Sequence, residues 1–475
     1  MIILQVKALV VIKGKKKELE TRNGMNGMAK RPTKTTTRSI CLFMVLIVPW
    51  YQSMGNLRNK AYRALRWSER YTKTDMLYLA RGGFWMTTSS VVVSSLSFLL
   101  AISFAHFLTK ETYGEYKFVL AIAGILGTFA LTGLGSAVMR SVGRGFEGTL
   151  HYAFWTNIRW SALSFLGALV LSIYYFAHGN SSLGLAILVV GSFSPFLSST
   201  NLYSAYLTAK KDFRRHAIYF DIIGNLVPYT ALFATMLLTD SPLWLILVYF
   251  SSNTLIGIIL YKRTVKIYQP GPTVDTESLG YSKHLSLMNI LSGLANNIDQ
   301  ILVFHYIGAA ELAIYNFATA IPDQTKGPLK GLNKLIFPKF VVREDHEIRT
   351  GMRNKFLWLL VLSIVLVLAY ILAAPYIFSI FFPKYMGSVL YSQIFSISFL
   401  SIPFSPANVY LAAKKKVKEQ YMVYSLTSIV QIIAVFFGIF FWGLLGLIVA
   451  RVITRIFSGL INATLYKYSL GKEDD

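Results

Sequence analysis

The sequence predicts an all-α integral membrane protein of about twelve transmembrane helices, arranged as two parallel-repeat six-helix lobes with both termini cytoplasmic. Three observations lead there: apolar stretches of spanning length recur along the chain, basic residues collect in every second loop, and two short motifs repeat six spans apart. Of 475 residues, 54% are hydrophobic and only 15% charged, and the mean hydropathy is +0.50. A soluble globular chain carries about 25% charged residues, so this one is built for another solvent.

A hydrocarbon core about 30 Å thick needs about 20 apolar residues in a helix rising about 1.5 Å each. Segments of that length fall near 83–108, 116–139, 155–177, 184–207, 217–238, 243–262, 284–307, 314–338, 355–374, 388–411, 421–441 and 444–466, numbered here as spans 1 to 12. Spans 7 and 8 carry the most charge.

The loops fix orientation. Lys210, Lys211, Arg214 and Arg215 follow span 4; Lys262, Arg263, Lys266 and Lys283 follow span 6. Lys339, Arg343, Arg349, Arg353 and Lys355 follow span 8, and Lys414, Lys415, Lys416 and Lys418 follow span 10. The alternate loops 178–182, 239–242, 308–313 and 442–443 hold no Lys or Arg, and Lys110, Lys117 and Lys384 are the exceptions. Basic residues stay on the cytoplasmic side, which places both termini there. The same pattern accounts for 47 Lys+Arg against 22 Asp+Glu, a net charge of +25. No basic-aromatic module points to nucleic acid. With Cys41 as the only cysteine there is no intrachain disulfide and no thiolate metal cluster.

Residues 1–53 form a basic extension with an apolar run, Ser39 to Trp50, too short to span. The favoured reading is a mis-assigned start with synthesis beginning at Met54, and the other is a targeting segment. Residues 54–82 read as an amphipathic cytoplasmic lead-in carrying Arg58, Arg63, Arg66, Trp67 and Arg70. The N-lobe is expected over 83–262, a cytoplasmic linker over 263–283 and the C-lobe over 284–475.

Self-similarity supports the two lobes. His106 and Tyr116-Lys117-Phe118-Val119-Leu120-Ala121-Ile122 match His305 and Tyr315-Asn316-Phe317-Ala318-Thr319-Ala320-Ile321 at five of 17 positions, with a constant offset of 199. Tyr206-Leu207-Thr208-Ala209-Lys210-Lys211 matches Tyr410-Leu411-Ala412-Ala413-Lys414-Lys415 at an offset of 204. Each pair joins span n to span n+6, an even step that preserves orientation, so the repeats are parallel and a central cavity is expected between them.

Leu108-Thr109-Lys110-Glu111-Thr112-Tyr113-Gly114-Glu115-Tyr116, Gly133-Leu134-Gly135-Ser136-Ala137 with Arg140, and Asn297-Ile298-Asp299-Gln300-Ile301-Leu302 leading to Tyr315-Asn316-Phe317-Ala318 stand in order along the chain. In these motifs the chain resembles the Wzx-type polysaccharide-biosynthesis flippases over about 80–470. The resemblance implies the multidrug/oligosaccharidyl-lipid/polysaccharide (MOP) superfamily, a MATE-like fold with alternating access, and a lipid-linked oligosaccharide as cargo in the cytoplasmic (plasma) membrane. It also implies work beside polysaccharide polymerase or ligase machinery for surface polysaccharide such as O-antigen. A MATE-like multidrug or organic-cation exporter is the alternative. The chain has no Walker-type loop and no loop long enough for a catalytic domain, so no enzyme is expected.

Charges at membrane depth are the candidate site, because each costs a few kcal/mol unless it serves or snorkels. Lys326 and Lys330, with Lys334, form an i,i+4 row on span 8, and Arg451 and Arg455 share a face of span 12. With Arg81 and Arg140 at inner ends they make up a cationic cavity suited to a pyrophosphate. The alternative for the two span 12 arginines is an interhelical ion pair. Asp299, Asn296, Asn297 and Gln300 on span 7, and Asp323 on span 8, are the coupling-ion or gating candidates. Asp299 has three competing uses: an ion pair with an arginine of the other lobe, Na⁺ binding, or proton exchange. No cofactor is expected beyond Na⁺ or H⁺ as coupling ion. Asp221 lies near the inner interface, where solvation is expected.

Overall fold

The computed structural model describes residues 76–325, 340, 345–414 and 416–471. The extension 1–53, most of the lead-in, and Lys326, Pro328, Lys330 and Lys334 lie outside them. Among the described residues the chain is helical, without strands. The long helices are α1 (Met76–Phe107), α2 (Lys110–Thr128), α3 (Thr149–Ala177), α4 (Ser181–Ala209), α5 (Phe213–Leu238) and α6 (Pro242–Tyr268). The second half continues with α7 (Thr276–Tyr306), α8 (Ala309–Thr325), α9 (Asp345–Phe381) and α10 (Pro383–Ala413). A last stretch, Val417–Gly471, breaks at Trp442 and Gly443 into α11 (417–441) and α12 (444–471). At the break Gly443 has φ +58, a left-handed conformation open to glycine. The chain folds back so tightly that a Cβ on Gly446 would sit 2.2 Å from the Gly438 carbonyl oxygen.

Eight of the described helices are long and apolar enough to cross a membrane, counting Val417–Ser469 as one. The helices outside that set, α2, α7 and α8, stand where sequence placed spans 2, 7 and 8; polar residues set α2 and α7 apart, and the described part of α8 has only 17 residues. Helix α2 starts at Lys110, six residues before the expected 116, because the Thr109 hydroxyl caps it by accepting from the Thr112 amide at 3.2 Å. It ends at Thr128, and a separate short helix, Leu134–Gly143, follows. Lys117 is therefore two turns inside a helix rather than in a loop. Helices α6 and α7 run past the expected linker ends, so only 269–275 is non-helical. Hydropathy marks the hydrocarbon slab, whereas helices continue into the headgroup layer.

Within the first half α3 packs on α4, and α4 and α5 on α6; within the second, α9 packs on α10, and α7 on the α11–α12 stretch. The two halves meet along α2, which lies against both α7 and α8. Small residues make that approach feasible. A Cβ on Gly114 would fall 1.9 Å from the Ala309 carbonyl oxygen, and one on Gly293 would strike Thr128 at 1.9 Å.

The end of the molecule that carries the basic loops, which sequence expects to be cytoplasmic, is termed the inner end. At the opposite, outer end, aromatic side chains close the seam between halves. Phe118 stacks on Phe304 (3.8 Å, 11°), Tyr113 meets Phe317 at 5.0 Å, and Phe98 meets Phe381 edge-on at 5.3 Å. Lys384 Nζ donates to the carbonyls of His106 (2.8 Å) and Leu108 (3.4 Å), and Tyr175 and His305 bond at 3.0 Å. His305 Nδ1 lies 3.1 Å from the Ile301 carbonyl, so Nδ1 donates there and Nε2 accepts from Tyr175. The matching His106 makes the same turn-back bond to Ile102 at 2.9 Å.

Towards the inner end Asn289 donates to Thr132 Oγ1 (3.0 Å) and the Gly133 amide to Ser286 Oγ (2.9 Å). Asp275 anchors the linker: its amide donates to Thr149 Oγ1 (3.1 Å) and its carboxylate accepts from Ser141 (3.1 Å). The inner ends of α3 and α4 are tied by Glu147, which accepts from Lys210 Nζ and, at 2.9 Å, from the Tyr206 hydroxyl. The Lys210 hydrogen bond holds the Glu147 carboxyl below the usual carboxylate range.

Two predictions arise here. Gly114→Val should lower the thermal midpoint in detergent markedly, since the clash falls on backbone; overpacking costs about 1–3 kcal/mol. Gly135→Ala, with nothing within 4 Å, should leave the midpoint unchanged. Because the Glu147 pKa is depressed in the fold, its stabilisation is present above the ordinary carboxylate value and lost as pH falls through the folded one. Taking the protein from about pH 5 to about pH 3 should lower the midpoint more in the parent than in Glu147→Gln.

Candidate functional site

The second half holds a polar cluster among otherwise apolar helices. Asp299 of α7 is 2% exposed and Arg451 of α12 is 15% exposed, with Arg451 Nε 3.3 Å from Asp299 Oδ2. The Tyr315 hydroxyl of α8 donates to the same carboxylate oxygen, and the Gln300 amide donates to the other at 2.9 Å. One helical turn along α12, Arg455 grips Asp323 of α8 with both guanidinium nitrogens, at 2.6 and 2.7 Å. Its guanidinium also lies 4.4 Å from the centre of the Phe395 ring and 3.4 Å from Ser398 Oγ. Position i and i+4 on α12 thus face two acidic residues on two neighbouring helices, the arrangement that lets four charges share one interior.

The arginines form the interhelical ion pairs weighed from sequence. Asp299 pairs with an arginine of its own half, not of the other, since α7 and α12 pack together. Asn297 lies against Gly124 and donates to its own helix at the Gly293 carbonyl, 2.9 Å away, while Asn296 is exposed and Gln300 half-buried. Arg140 is exposed on the last turn of the short helix, where a cation suits the helix dipole. Arg81 lies in the first two turns of α1, and its side chain is outside the described residues.

Sequence reasoning did not select Tyr315, Phe395 or Ser398 as site residues. The Tyr315 position was visible in the repeat, where it aligns with the buried Tyr116. At the same offset of 199, Asp299 and Asp323 align with Leu100 and Gly124, so this acidic pair has no counterpart in the first half. Lys117 was also missed: it is half-buried on α2 over the Tyr113 ring (5.4 Å), and among the described residues it has no carboxylate within 4 Å.

A smaller cluster sits in the first half. Asp221 lies on a π-helical turn, Ala217–Ile223, inside α5. It accepts from Ser89 of α1 at 2.5 Å and lies 3.7 Å from His216 Nδ1, so partners hold it where sequence expected solvation.

The second of the two packed helical halves carries the buried ion pairs, and comparison with known proteins gives the fold. A multidrug resistance MATE family transporter of the MOP superfamily, in its inward-facing conformation, superposes with a TM-score of 0.60 at 13% identity, covering 81% of this chain and 98% of its own. The outward-facing conformation gives 0.58 at 12%, covering 82% and 96%. A MOP superfamily transporter from Pyrococcus furiosus, described as having a binding pocket of reverse polarity, gives 0.54 at 13%, covering 83% and 96%. The fold is the MATE fold of that superfamily. No curated protein sequence matches. The chain belongs to the polysaccharide biosynthesis protein family, whose profile matches residues 79–322, more than half of its length.

The ion pair sets a prediction for stability. Asp299→Asn and Arg451→Met should each cost about 3–5 kcal/mol, because each strands a buried charge. The double variant should lose less than the sum, with a coupling of about 1–3 kcal/mol read from unfolding midpoints in detergent. Additive losses would mean the two side chains do not interact.

Proposed function

We propose that this transporter moves polyprenyl-(pyro)phosphate-linked oligosaccharide across the cytoplasmic membrane by alternating access, supplying surface polysaccharide or another glycan. The observation that carries this reading is the membership of a polysaccharide biosynthesis family by a chain with a transporter fold. The outer seam supports alternating access. It is built from ring contacts, the Tyr175–His305 hydrogen bond and hydrogen bonds to backbone carbonyls, and among the described residues no ion pair crosses it, so the two halves can part without separating charges.

Cargo phosphate would be met by Lys326, Lys330, Arg451, Arg455, Arg81 and Arg140, to which Lys117 is added. Arg455 already offers the two-pronged fork that a phosphate accepts as readily as a carboxylate. An arginine that turned from Asp299 or Asp323 to the cargo would release a carboxylate to Na⁺ or H⁺. Cargo and coupling ion would then be linked through one exchange, with Asn296, Asn297 and Gln300 as neutral ligands. A polysaccharide polymerase or ligase is the expected recipient on the far side. The exporter reading needs a buried carboxylate available to an organic cation, and Asp299 and Asp323 are each engaged by an arginine.

Proteoliposomes loaded with a fluorescent polyprenyl-pyrophosphate oligosaccharide test the proposal. Protein-dependent loss of label from the starting leaflet is expected, and it should require the pyrophosphate. Lys326→Ala, Arg451→Ala and Lys117→Ala should each slow it about tenfold or more, as expected for losing a charge-assisted contact, while membrane insertion is retained. Absence of lipid transfer together with transport of an organic cation would instead establish an exporter.

A further inference from the structure

A cavity of about 510 Å³ lies away from the charge cluster, at the inner end of the first half. Its walls are the start of α3 (His151, Tyr152, Trp155, Arg159), the end of α6 (Tyr261) and the linker from Pro270. Its depth follows from the sequence of α3. That helix has 29 residues, but its part free of charged residues and histidine beyond Arg159, 160–177, has only 18 and spans about 27 Å, close to the whole hydrocarbon slab. The turns before it, which carry the cavity residues, stand at the level of the headgroups.

The chemistry of the walls suits an anion bearing an apolar body. No carboxylate lines the cavity among the described residues, while Arg159 and His151 do. On the segments that border it Lys262 and Lys266 are exposed, Arg144 lies 3.7 Å from Asp275, and Glu147 is held by Lys210. Trp155 and Tyr152 are exposed, with Trp155 Nε1 donating to His151 Nε2 at 3.2 Å. Amphipathic rings of this kind favour the membrane–water boundary. Deeper in, Tyr261 stacks on Phe154 (4.7 Å, 28°) and is only 8% exposed, yet its hydroxyl has no hydrogen-bond partner among the described residues. A buried hydroxyl ordinarily has one, so the Tyr261 hydroxyl is open to a group that supplies it.

We propose that this cavity holds the headgroup of an anionic phospholipid from the adjoining leaflet. Arg159 takes the phosphate, the Tyr261 hydroxyl meets a headgroup oxygen, and Tyr152 and Trp155 cover the glycerol and first methylenes. Because Pro270 and Gly271 form one wall, the bound lipid touches both the first half and the chain that connects it to the second. This site is independent of which cargo the transporter moves.

The test is fluorescence of the full-length protein in mixed micelles with acyl-brominated phosphatidylglycerol or phosphatidylcholine, the Trp155 signal being isolated by subtracting Trp155→Phe. Phosphatidylglycerol should quench at about fivefold lower concentration, the preference expected from one arginine at an anionic surface. Arg159→Gln should abolish the preference and Arg159→Lys retain it. Equal quenching by the two lipids, or a preference that survives Arg159→Gln, would overturn the proposal. Reversal by soluble glycerol phosphate at comparable concentration would also overturn it, by showing a site for free phosphate. No readout depends on transport, so failure here is separate from failure of the flippase reading.

Discussion

A peptide amide or carbonyl inside hydrocarbon has no water to bond, and this constraint shapes the rest of the molecule. It makes the described chain helical between Met76 and Gly471 apart from the short connections between helices. It also dictates how side-chain hydroxyls behave. Ser194, Ser199, Thr235, Ser252 and Thr454 each return their proton to a carbonyl one turn back in the same helix. The prolines at 195, 228, 322, 375 and 403 remove amides from these helices. Past Pro195, the Ser198 and Ser199 hydroxyls both donate to the Pro195 carbonyl.

Charge follows the same logic with higher stakes. An ion at depth survives only with a partner, and the second half provides two acid–arginine pairs while the aligned Leu100 and Gly124 provide none in the first. Among the described residues, this polar interior belongs to the second half. The first half places its own acid, Asp221, nearer the inner end and on a π-helical turn, where an extra residue per turn redirects the side chain towards Ser89.

Much of the fold was legible because it depends on composition alone. The order of the apolar helices and the break at Trp442–Gly443 follow from apolar length and turn residues, whereas the linker expected over 263–283 is non-helical only over 269–275. The helix ends were less legible: Thr109 caps α2 above Lys110 and Lys117, and hydropathy rejects both lysines. The candidate site was visible as residues but not as partners. The sequence shows Asp299, Asp323, Arg451 and Arg455 at depth, but which arginine meets which aspartate depends on how α7, α8 and α12 pack. The glycine of the Tyr113-Gly114 motif could be read as a signature; its cause, the Ala309 backbone pressed against it, exists only in three dimensions.

The outer seam has a consequence for the conditions under which the protein operates. Ring faces and a lysine resting on carbonyl oxygens carry it, so added electrolyte has little to screen. Burial of aromatic surface, by contrast, loses strength on cooling. Packing along that seam is thus little affected by added electrolyte and responsive to temperature.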